Sequence, residues 1–432
     1  MRLLLITLGS HGDTHPFFAL ARALTARGHE ALVATNPAFF QQAARAGVAT
    51  EALTDGLDMK EILQHPDVMH ATRGPRAVLR DLTLPLVPKI YARTAELIRE
   101  YKPDVAVVHP ICLGSHWACE RSDVPVVPAV LSPLGWMQSR DRIVFGPWRS
   151  HNPSILASRF DAIGGRWIMR WMLDGPLNRV RRELGLPKGR DLLVREFLRP
   201  GLNLGLWSRH FRPPRAGDPA GGVICGFPWF DDHHDHTDDL DALDRFLDAG
   251  APPVVFTLGT AAVHVPGDFY QHAADAARLL GRRAVLLVGR SEYRDRVSNL
   301  PRDGSVGVFT YAPFSYLLPR AAATVHHGGI GSTAQALRAG RPMVVVPLAH
   351  DQFDNAARAK RLGVSETVPH TRADAAALAG ALSGVLNNPE AAGRAEELGK
   401  AVRTEDGAAA AAGHLEGWMM GKPPKIDVFE KS

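Results

Sequence analysis

Residues 324–337, TVHHGGIGSTAQAL, join a short apolar run to a helix-forming segment through a glycine-rich turn. The candidate ligand-contacting residues of this turn are His326, His327, Gly328, Gly329, Gly331 and Ser332. Glycines allow a backbone to approach a ligand closely, and free N–H groups at a helix N-terminus bind anions. The stretch therefore predicts a phosphate site at the carboxyl end of a parallel strand, where open α/β sheets bind their ligands.

The turn also has a structural interpretation, as two buried histidines followed by a serine N-cap. It has neither a Walker lysine nor the G-x-G-x-x-G spacing of dinucleotide sites. A second feature lies close by, because Asp351 and Gln352 follow the next apolar run, residues 341–350. A carboxylate beside an amide can bind several hydroxyl groups, which suits a sugar. Together the two features favour a nucleotide-sugar pocket.

The pattern around this stretch is typical of an α/β protein. Apolar runs alternate with segments of 3.6-residue periodicity, which predicts parallel sheets covered by helices on both faces. The predicted strands lie in residues 2–8, 30–35, 105–109, 124–131, 252–260, 283–290, 305–311, 322–329 and 341–350. The rhythm stops and restarts, so two α/β units are expected in series, with a boundary near residues 215–240.

The first strand is followed by a turn rich in polar residues, LGSHGDTHP at residues 8–16. His11, Asp13 and His15 lie in it, and the first helix is expected to begin at Pro16 and to end before Gly28. Such a turn can present functional groups at the edge of a sheet. It can equally be no more than a capped helix start.

Composition narrows the classes of function. The 432 residues are 45% hydrophobic and 22% charged with a net charge of +5, and no run of Lys and Arg indicates nucleic-acid binding. Three cysteines, Cys112, Cys119 and Cys225, are too few and too irregular for a disulfide framework or a zinc site, which fits a reducing cytoplasm. No apolar run is long enough to span a bilayer. The N-terminal run is interpreted as a strand rather than a signal peptide.

Two segments interrupt the α/β pattern. Residues 155–184 combine Trp167, Trp171 and other large apolar residues with several arginines. We expect a helical hairpin packed on the first domain, with a pocket wall and a membrane-surface segment as alternatives. Residues 231–241 hold three histidines among acidic residues, His233, His234 and His236, for which a metal site is considered but not expected.

Residues 326–356, HHGGIGSTAQALRAGRPMVVVPLAHDQFDNA, resemble the donor-binding signature of family 1 glycosyltransferases, and GSHGDTHP resembles their N-terminal acceptor-side turn. Within the family the likeness is to bacterial natural-product enzymes and rhamnolipid rhamnosyltransferases. The resemblance implies the GT-B fold, two Rossmann-like domains with parallel sheets facing across a cleft. It implies an acceptor domain over residues 1–225, a nucleotide-sugar domain over 226–405, and a C-terminal helix over 406–432 that crosses back.

The resemblance assigns roles to donor-side residues. His327, Gly331 and Ser332 match phosphate contacts, and Asp351 and Gln352 match the pair that holds the sugar hydroxyls. The remaining donor candidates are Thr260, Arg290, Tyr311, Gly328, Gly329 and Gln335. Gln335 stands where many members have a glutamate that binds both ribose hydroxyls, so a donor without the 2′-hydroxyl, such as a dTDP-sugar, becomes plausible beside UDP-glucose.

On the acceptor side the resemblance makes Asp13 the general base, three residues before Pro16. His11 and His109 are candidate neighbours that position it or tune its pKa, although His109 can equally be a structural edge histidine. The base would deprotonate an acceptor hydroxyl that attacks the anomeric carbon with inversion. The candidate walls of an apolar acceptor pocket are Met59, Leu79, Leu82, Trp136 and Met137.

The sequence thus predicts a metal-independent, inverting transferase without a bound cofactor. It would move rhamnose or glucose from a dTDP- or UDP-sugar to an apolar small molecule or lipid, without nucleic-acid partners and with transient membrane-surface contact at most. A GT-B epimerase or hydrolase is the enzymatic alternative, although the paired carboxylates that it needs are not evident in the sequence. A non-catalytic nucleotide-sugar-binding protein is the other alternative.

Overall fold

The apolar runs form the strands of two parallel sheets in the computed structural model, which describes residues 1–137, 140–148, 151–198, 201–231, 237–289 and 304–422. Over these residues the first sheet has the strand order β3-β2-β1-β4-β5-β6-β7 and the second β10-β9-β8-β11-β12-β13. The strands of the first sheet are β1 (Arg2–Ile6), β2 (Glu30–Thr35), β3 (Ala49–Ala52), β4 (Val105–Val108), β5 (Val126–Val130), β6 (Asn203–Gly205) and β7 (Gly222–Ile224). Those of the second are β8 (Val254–Thr257), β9 (Ala284–Leu287), β10 (Val306–Phe309), β11 (Ala323–His326), β12 (Met343–Val345) and β13 (Ser365–Thr367).

Helices cover both faces of each sheet. The first domain contains α1 (His11–Ala26), α2 (Phe40–Arg45), α3 (Met59–Gln64), α4 (Gly74–Arg76), α5 (Leu84–Tyr101), α6 (Leu113–Arg121) and α7 (Ile155–Glu183), and a π-helix (Ala77–Thr83) precedes α5. The second contains α8 (Thr237–Asp248), α9 (Phe269–Leu279), α10 (Phe314–Leu317), α11 (Ile330–Ala339), α12 (Gln352–Arg361), α13 (Ala375–Leu386) and α14 (Pro389–Arg403). The last helix, α15 (Gly407–Met419), follows directly. The α/β class and the paired parallel sheets are as predicted.

The central strands are apolar throughout because helices bury both of their faces. Leu3 and Leu5 of β1 lie in one core cluster with α1, while Leu4 and Ile6 lie in another with α5 and α6. β1 pairs in parallel with β2 and with β4, and Leu4 is opposite both Leu32 and Ala106. Alternate side chains of one strand thus hold the two helical layers together.

The sequence pattern did not predict four of the strands, which have only three or four residues each: β3, β6, β7 and β13. The segment 155–184 was expected to be a helical hairpin, and this expectation is wrong. It forms the single helix α7, with Pro176 inside it and Ser154 capping its N-terminus through the Ala157 N–H. Gly164 and Gly165 were compatible with a turn, but both are accommodated within the helix.

The C-terminal helix α15 packs on the first domain. Ala411 and Leu415 are fully buried in the same core cluster as Phe17 and Leu20 of α1. Glu416 at the end of α15 accepts hydrogen bonds from Arg27 Nη1 at 3.1 Å and pairs with His29 Nε2 at 2.8 Å. The helix α15 is therefore held against α1, the helix that begins at the polar turn.

A buried cluster of charges joins the two domains. Asp141, from the segment after β5, pairs with Arg212 Nε at 3.0 Å and with Arg358 Nη2 of α12 at 2.9 Å. Asp354, one turn earlier on α12, accepts from Arg358 Nε at 2.7 Å and from the Val144 backbone N–H at 3.0 Å. Burial alone would raise the pKa of Asp141, but Arg358 and Arg212 hold it well below its ordinary value. We call these residues, Asp141, Arg212, Asp354 and Arg358, the interdomain ion cluster.

Replacing Asp141 with alanine should destabilise the protein by about 3–5 kcal/mol, because two buried arginines lose a shared carboxylate. Since the folded-state pKa is depressed, this contribution is present above pH ~4 and is lost as the pH falls below that value. Urea unfolding of Asp141→Ala measures the effect. The control Glu390→Ala removes only the exposed pair with Arg394 and should cost about 0.5 kcal/mol or less. Equal costs for the two variants would contradict the assignment.

Candidate active site

The polar turn is the first turn of α1. The helix begins at His11 rather than at Pro16, with Ser10 as its N-cap accepting from the Gly12 N–H at 3.2 Å. Asp13 completes a capping box, since its Oδ2 accepts from the Ser10 N–H at 2.7 Å and the Ser10 hydroxyl at 3.0 Å. Asp13 therefore has a fixed rotamer, with one carboxylate oxygen occupied by the cap.

The earlier helix start separates His11 from Asp13. Residues two apart on a helix do not face each other. The His11 ring packs edge-on against His15 and Phe39, with ring centroids 5.1 and 5.0 Å apart. His15 Nε2 lies 3.0 Å from Gln42 Oε1. The structure thus packs His11 against His15 and Phe39.

His109, at the end of β4, is the histidine that the fold brings to Asp13. Its Nε2 lies 3.8 Å from Asp13 Oδ1, and its Nδ1 accepts the Ile111 N–H at 3.4 Å. Since Nδ1 accepts, we assign the proton of the neutral ring to Nε2, on the side of Asp13. Burial lowers the pKa of His109, and the Asp13 charge opposes this only in part. The pair is a carboxylate beside a neutral imidazole.

In the glycine-rich turn the two histidines have different positions. His326 is structural, because its Nδ1 accepts the Gly328 N–H at 3.1 Å and its Nε2 lies 3.4 Å from the Met343 sulfur. His327 sits between two glycines, since a Cβ at Gly259 or Gly329 would come within 2.4 Å of its ring. Burial lowers the pKa of His327 to about 4. Its Nδ1 is buried without a partner among the described residues, so it can serve a ligand.

Beyond these histidines α11 starts at Ile330, so its first backbone N–H groups belong to the turn. Gly328 has a φ of +89°, and a side chain there would meet Val345 and the backbone of Gln352. Gly331 has open space around its Cβ position, and Ser332 is almost fully buried. The predicted phosphate turn therefore has the form of an anion site at a helix N-terminus.

At the neighbouring strand end Asp351 directly precedes α12. Burial raises the pKa of Asp351 to about 6, while hydrogen bonds from Asn355 and Ser132 counteract the shift. Gln352 is turned inward, with its Oε1 accepting the N–H groups of Leu348 and Ala349 at 2.8 and 3.1 Å. Asp351 is thus the available hydroxyl acceptor of the pair, and only the amide nitrogen of Gln352 can still serve a sugar.

Asn355, which follows the same predicted strand as Asp351 and Gln352, belongs to the site together with Ser132 and His350, which were not predicted from the sequence. Asn355 Nδ2 donates to Asp351 Oδ2 at 2.9 Å and to the Gly328 carbonyl at 3.0 Å, which links the sugar and phosphate positions. Ser132, after β5 of the first domain, lies 3.4 Å from Asn355 Oδ1. His350 has an unusual positive φ of 57°. The motif DQFDNA contains Asn355, so its spacing to Asp351 was the available signal.

The two halves of the site interact across the cleft. Burial lowers the pKa of His350 and raises that of Asp351, and the negative charge of Asp13 adds a smaller upward effect on both pKa values. His350 also hydrogen-bonds to the Val68 carbonyl of the first domain. Two carboxylates from different domains therefore share one cleft, which the sequence alone did not reveal.

The remaining donor candidates lie around this core. Thr260 is exposed beside Gly259, and Tyr311 is half-buried at the end of β10. Gln335 Nε2 donates to Asp231 Oδ1 at 3.4 Å, whereas its buried Oε1 has no partner among the described residues. Arg290 lies outside the described residues, as do His233, His234 and His236. Within the described ranges no group of three or more His, Cys, Asp or Glu side chains could hold a metal ion.

The acceptor-wall candidates have different positions. Leu79 and Leu82 are half-buried on the π-helix, and Met137 is buried near Gly165 of α7. The side chain of Met59 lies outside the described residues. Trp136 is 1% exposed and packs edge-on against Trp207, with Arg212 over its ring. Its position is therefore in the core beneath the cleft rather than on an open wall.

The chain is similar to known proteins over nearly its whole length. Residues 282–416 match the family described as "Erythromycin biosynthesis protein CIII-like, C-terminal domain". The chain is 33% identical over 428 residues to O-mycaminosyltylonolide 6-deoxyallosyltransferase of Streptomyces fradiae, covering 97% of each chain. It is 29% identical to vancomycin aglycone glucosyltransferase of Amycolatopsis orientalis, covering 95% of this chain and 96% of the relative.

Solved structures share the fold over nearly the whole chain. The glycotransferase of kitacinnamycin superposes with a TM-score of 0.71 at 21% identity, covering 96% of this chain and 98% of the other. Spinosyn rhamnosyltransferase SpnG gives a TM-score of 0.69 at 20% identity, covering 96% of this chain and all of the other. SpnG has also been solved with thymidine diphosphate and with spinosyn aglycone.

The raised pKa of Asp351 predicts a pH dependence of donor binding. Because the carboxylate is the better hydroxyl acceptor, the KM for the sugar donor should rise as the pH falls through about 6. At pH 5 the ionised fraction would be about one tenth, so the KM should rise about tenfold. Steady-state kinetics with a sugar nucleotide between pH 5 and 7.5 measure this rise. Asp351→Asn should have a high KM that varies little with pH, and an equally steep profile in this variant would contradict the assignment.

Proposed function

The chain belongs to the family 1 glycosyltransferases of the GT-B fold, and we propose that it transfers rhamnose or glucose, with inversion, from a dTDP- or UDP-sugar to a hydroxyl of an apolar small molecule or lipid. The observation that carries the proposal is a set of hydrogen bonds at the domain junction: Asn355 donates to Asp351 and to the Gly328 carbonyl, and Ser132 of the first domain lies 3.4 Å from Asn355 Oδ1. A base from one domain and a sugar-holding carboxylate from the other then meet at one anomeric carbon.

Asp13 is the proposed general base. Its Oδ2 is held by the Ser10 cap, so Oδ1 is the oxygen available to an acceptor hydroxyl. As the acceptor oxygen bonds to the anomeric carbon, its proton passes to Oδ1, and the bond from that carbon to the diphosphate breaks with its electron pair. Attack opposite the diphosphate inverts the anomeric centre. His109, which is neutral and lies beside Oδ1, would orient the acceptor hydroxyl without forming a charged ion pair with Asp13.

The departing diphosphate is stabilised by N–H donors in this proposal. His327 is neutral at physiological pH, because burial keeps its pKa near 4, so it offers one N–H rather than a charge. The first N–H groups of α11 and the positive end of its helix dipole face the same turn. These groups supply the stabilisation that a metal would otherwise give, so we propose metal-independent transfer without a bound cofactor.

Gln335 favours a deoxyribonucleotide donor. Its amide nitrogen is engaged by Asp231, which leaves a single acceptor, Oε1, for one hydroxyl. The 3′-hydroxyl of thymidine diphosphate would satisfy it, whereas a ribose would bring a second hydroxyl. Two structures of the same fold, SpnG and the Streptomyces sp. SF2575 glycosyltransferase SsfS6, have been solved with thymidine diphosphate. These complexes support the proposal of a dTDP-sugar donor.

The acceptor class is proposed from the first domain. Leu79 and Leu82 offer apolar surface, and the relatives named above include transferases whose names specify a tylonolide and the vancomycin aglycone. Membership of the transferase family sets aside the non-catalytic and epimerase or hydrolase alternatives. We propose a cytoplasmic location, since the three cysteines are free and buried.

Asp13→Asn should lower kcat by about 10²–10⁴-fold, because the amide cannot accept the acceptor proton. The nucleotide Kd, measured by titration calorimetry, should change by less than about twofold, since the capping oxygen is retained. His11→Ala, on the same turn but the other helix face, should keep kcat within about threefold of the unmodified enzyme. Near-normal turnover of Asp13→Asn would rule out the base.

The donor nucleotide can be tested in the absence of an acceptor. Calorimetric titration with dTDP, UDP and GDP should give the tightest binding for dTDP. Gln335→Glu should shift the preference towards UDP by about tenfold, because a carboxylate can accept both ribose hydroxyls. A clear preference of the unmodified protein for UDP would contradict the role of Gln335.

A further inference from the structure

The helix α7 exposes large apolar side chains to solvent. Leu156, Phe160, Ile163, Trp167 and Trp171 are between 55% and 75% exposed and follow one another at spacings of four, three, four and four residues. This spacing places them on one face of the helix, and we call them the α7 stripe. A single exposed apolar side chain needs no explanation, whereas a contiguous row of this size indicates an interaction surface.

The opposite face of α7 is already used. Ser158, Ala162, Leu173 and Leu177 are buried against the first domain. The α7 stripe is therefore not a core face left open by a missing neighbour in the fold. It is a second apolar face on a helix that is already packed.

A row of arginines runs beside the stripe. Arg159, Arg166 and Arg170 lie on the helix between the stripe and the packed face, and Arg159 is exposed. Arg166 pairs with Asp191, and Arg170 lies 3.8 Å from Asp174. The five stripe positions themselves include no acidic residue. The surface is thus apolar and aromatic, and the basic charge at its edge comes chiefly from the exposed Arg159, since Arg166 and Arg170 are paired with carboxylates.

We propose that the α7 stripe seats on the surface of an anionic lipid bilayer. An amphipathic helix with tryptophans on its apolar face and arginines along its edge is suited to the boundary between headgroups and acyl chains. The arginines would lie at headgroup level and attract anionic lipids. Among the described helices none has the length and apolarity to cross a bilayer, so the contact would be peripheral.

A second copy of the chain fits the same surface less well. In an antiparallel pairing of two α7 helices about a twofold axis, the arginine row of one copy would face the arginine row of the other. Like charges in register disfavour this pairing, whereas anionic headgroups neutralise the same row. The charge pattern thus favours a lipid surface.

The position of α7 connects the bilayer to the proposed reaction. Gly165, on the side of α7 opposite the stripe, lies against Met137 and Phe145, and α7 also packs against the π-helix that carries Leu79 and Leu82. An apolar acceptor would partition into the bilayer and meet the candidate acceptor wall there. This link rests on the proposed function, whereas the lipid contact itself does not.

Vesicle flotation with the full chain tests the contact without donor or acceptor. The protein should float with vesicles of phosphatidylcholine and phosphatidylglycerol, and much less with phosphatidylcholine alone. The double variant Phe160→Asp/Trp171→Asp should reduce binding by about tenfold or more. Leu279→Asp, at a 58% exposed leucine of α9 in the other domain, is the matched control and should bind normally. Calorimetric dTDP binding checks that each variant is folded.

Two results would overturn the proposal. One is failure of the unmodified chain to float with anionic vesicles while it still binds nucleotide. The other is a dimer in light scattering that Phe160→Asp/Trp171→Asp converts to a monomer, which would assign the stripe to a second copy. Because flotation needs no turnover, a negative result here leaves the transferase proposal intact, and loss of turnover leaves the lipid contact intact.

Discussion

The pairing of Arg358 with Asp141 and Asp354 is the constraint on which the site depends. Each of these charges is almost fully buried, and an unpaired charge at such depth would cost several kcal/mol. Any rearrangement of the domains that separates Asp141 from α12 would leave buried charges without their partners and would be unfavourable by that amount. The cluster therefore favours the one arrangement in which Asp13 and Asp351 face the same cleft.

The helix α12 has two functions because of where its residues point. Asp351 and Asn355, at its N-terminal end, hold the proposed sugar position and connect it to the Gly328 carbonyl of the phosphate turn. Asp354 and Arg358, three and seven residues after Asp351 and so on the same side of the helix, contact the first domain. The residues of the proposed donor site, Asp351 and Asn355, and those of the domain interface, Asp354 and Arg358, therefore lie within about two helical turns of each other. The domain contact and the proposed sugar position are thus built on one helix.

Much of the fold was predictable, because apolar parallel strands and glycine-rich turns leave local signals. The glycine-rich turn before α11 and the position of Asp351 at a strand end were predicted in this way, and their donor-binding roles stay predictions. The start of α1 was misplaced because Pro16 is a stronger conventional signal than the capping box of Ser10 and Asp13. The His11 ring packs on His15 and Phe39, and its predicted role beside the proposed base is what the His11→Ala variant tests.

The residues that were missed depend on long-range contacts. Asp141 and Arg358 are 217 positions apart, and Ser132 and Asn355 are 223 apart. The local sequence around either partner does not predict such a pairing. The α7 hairpin failed for a related reason, since Gly164 and Gly165 signal a turn locally but the packing of α7 on the first domain maintains a continuous helix.

Besides the interdomain ion cluster, the segment after β7 also connects α1 of the first domain with α11 of the second. Phe230 packs on His15 and Phe18 of α1, and the next residue, Asp231, accepts hydrogen bonds from Gln335 and Arg338 of α11. The helix that carries the base and the helix that carries the proposed nucleotide reader therefore contact adjacent residues of one connecting segment. Since Asp231 occupies the amide nitrogen of Gln335, this connection also orients the free oxygen. In this arrangement the proposed nucleotide preference would depend on the domain junction as much as on the nucleotide pocket.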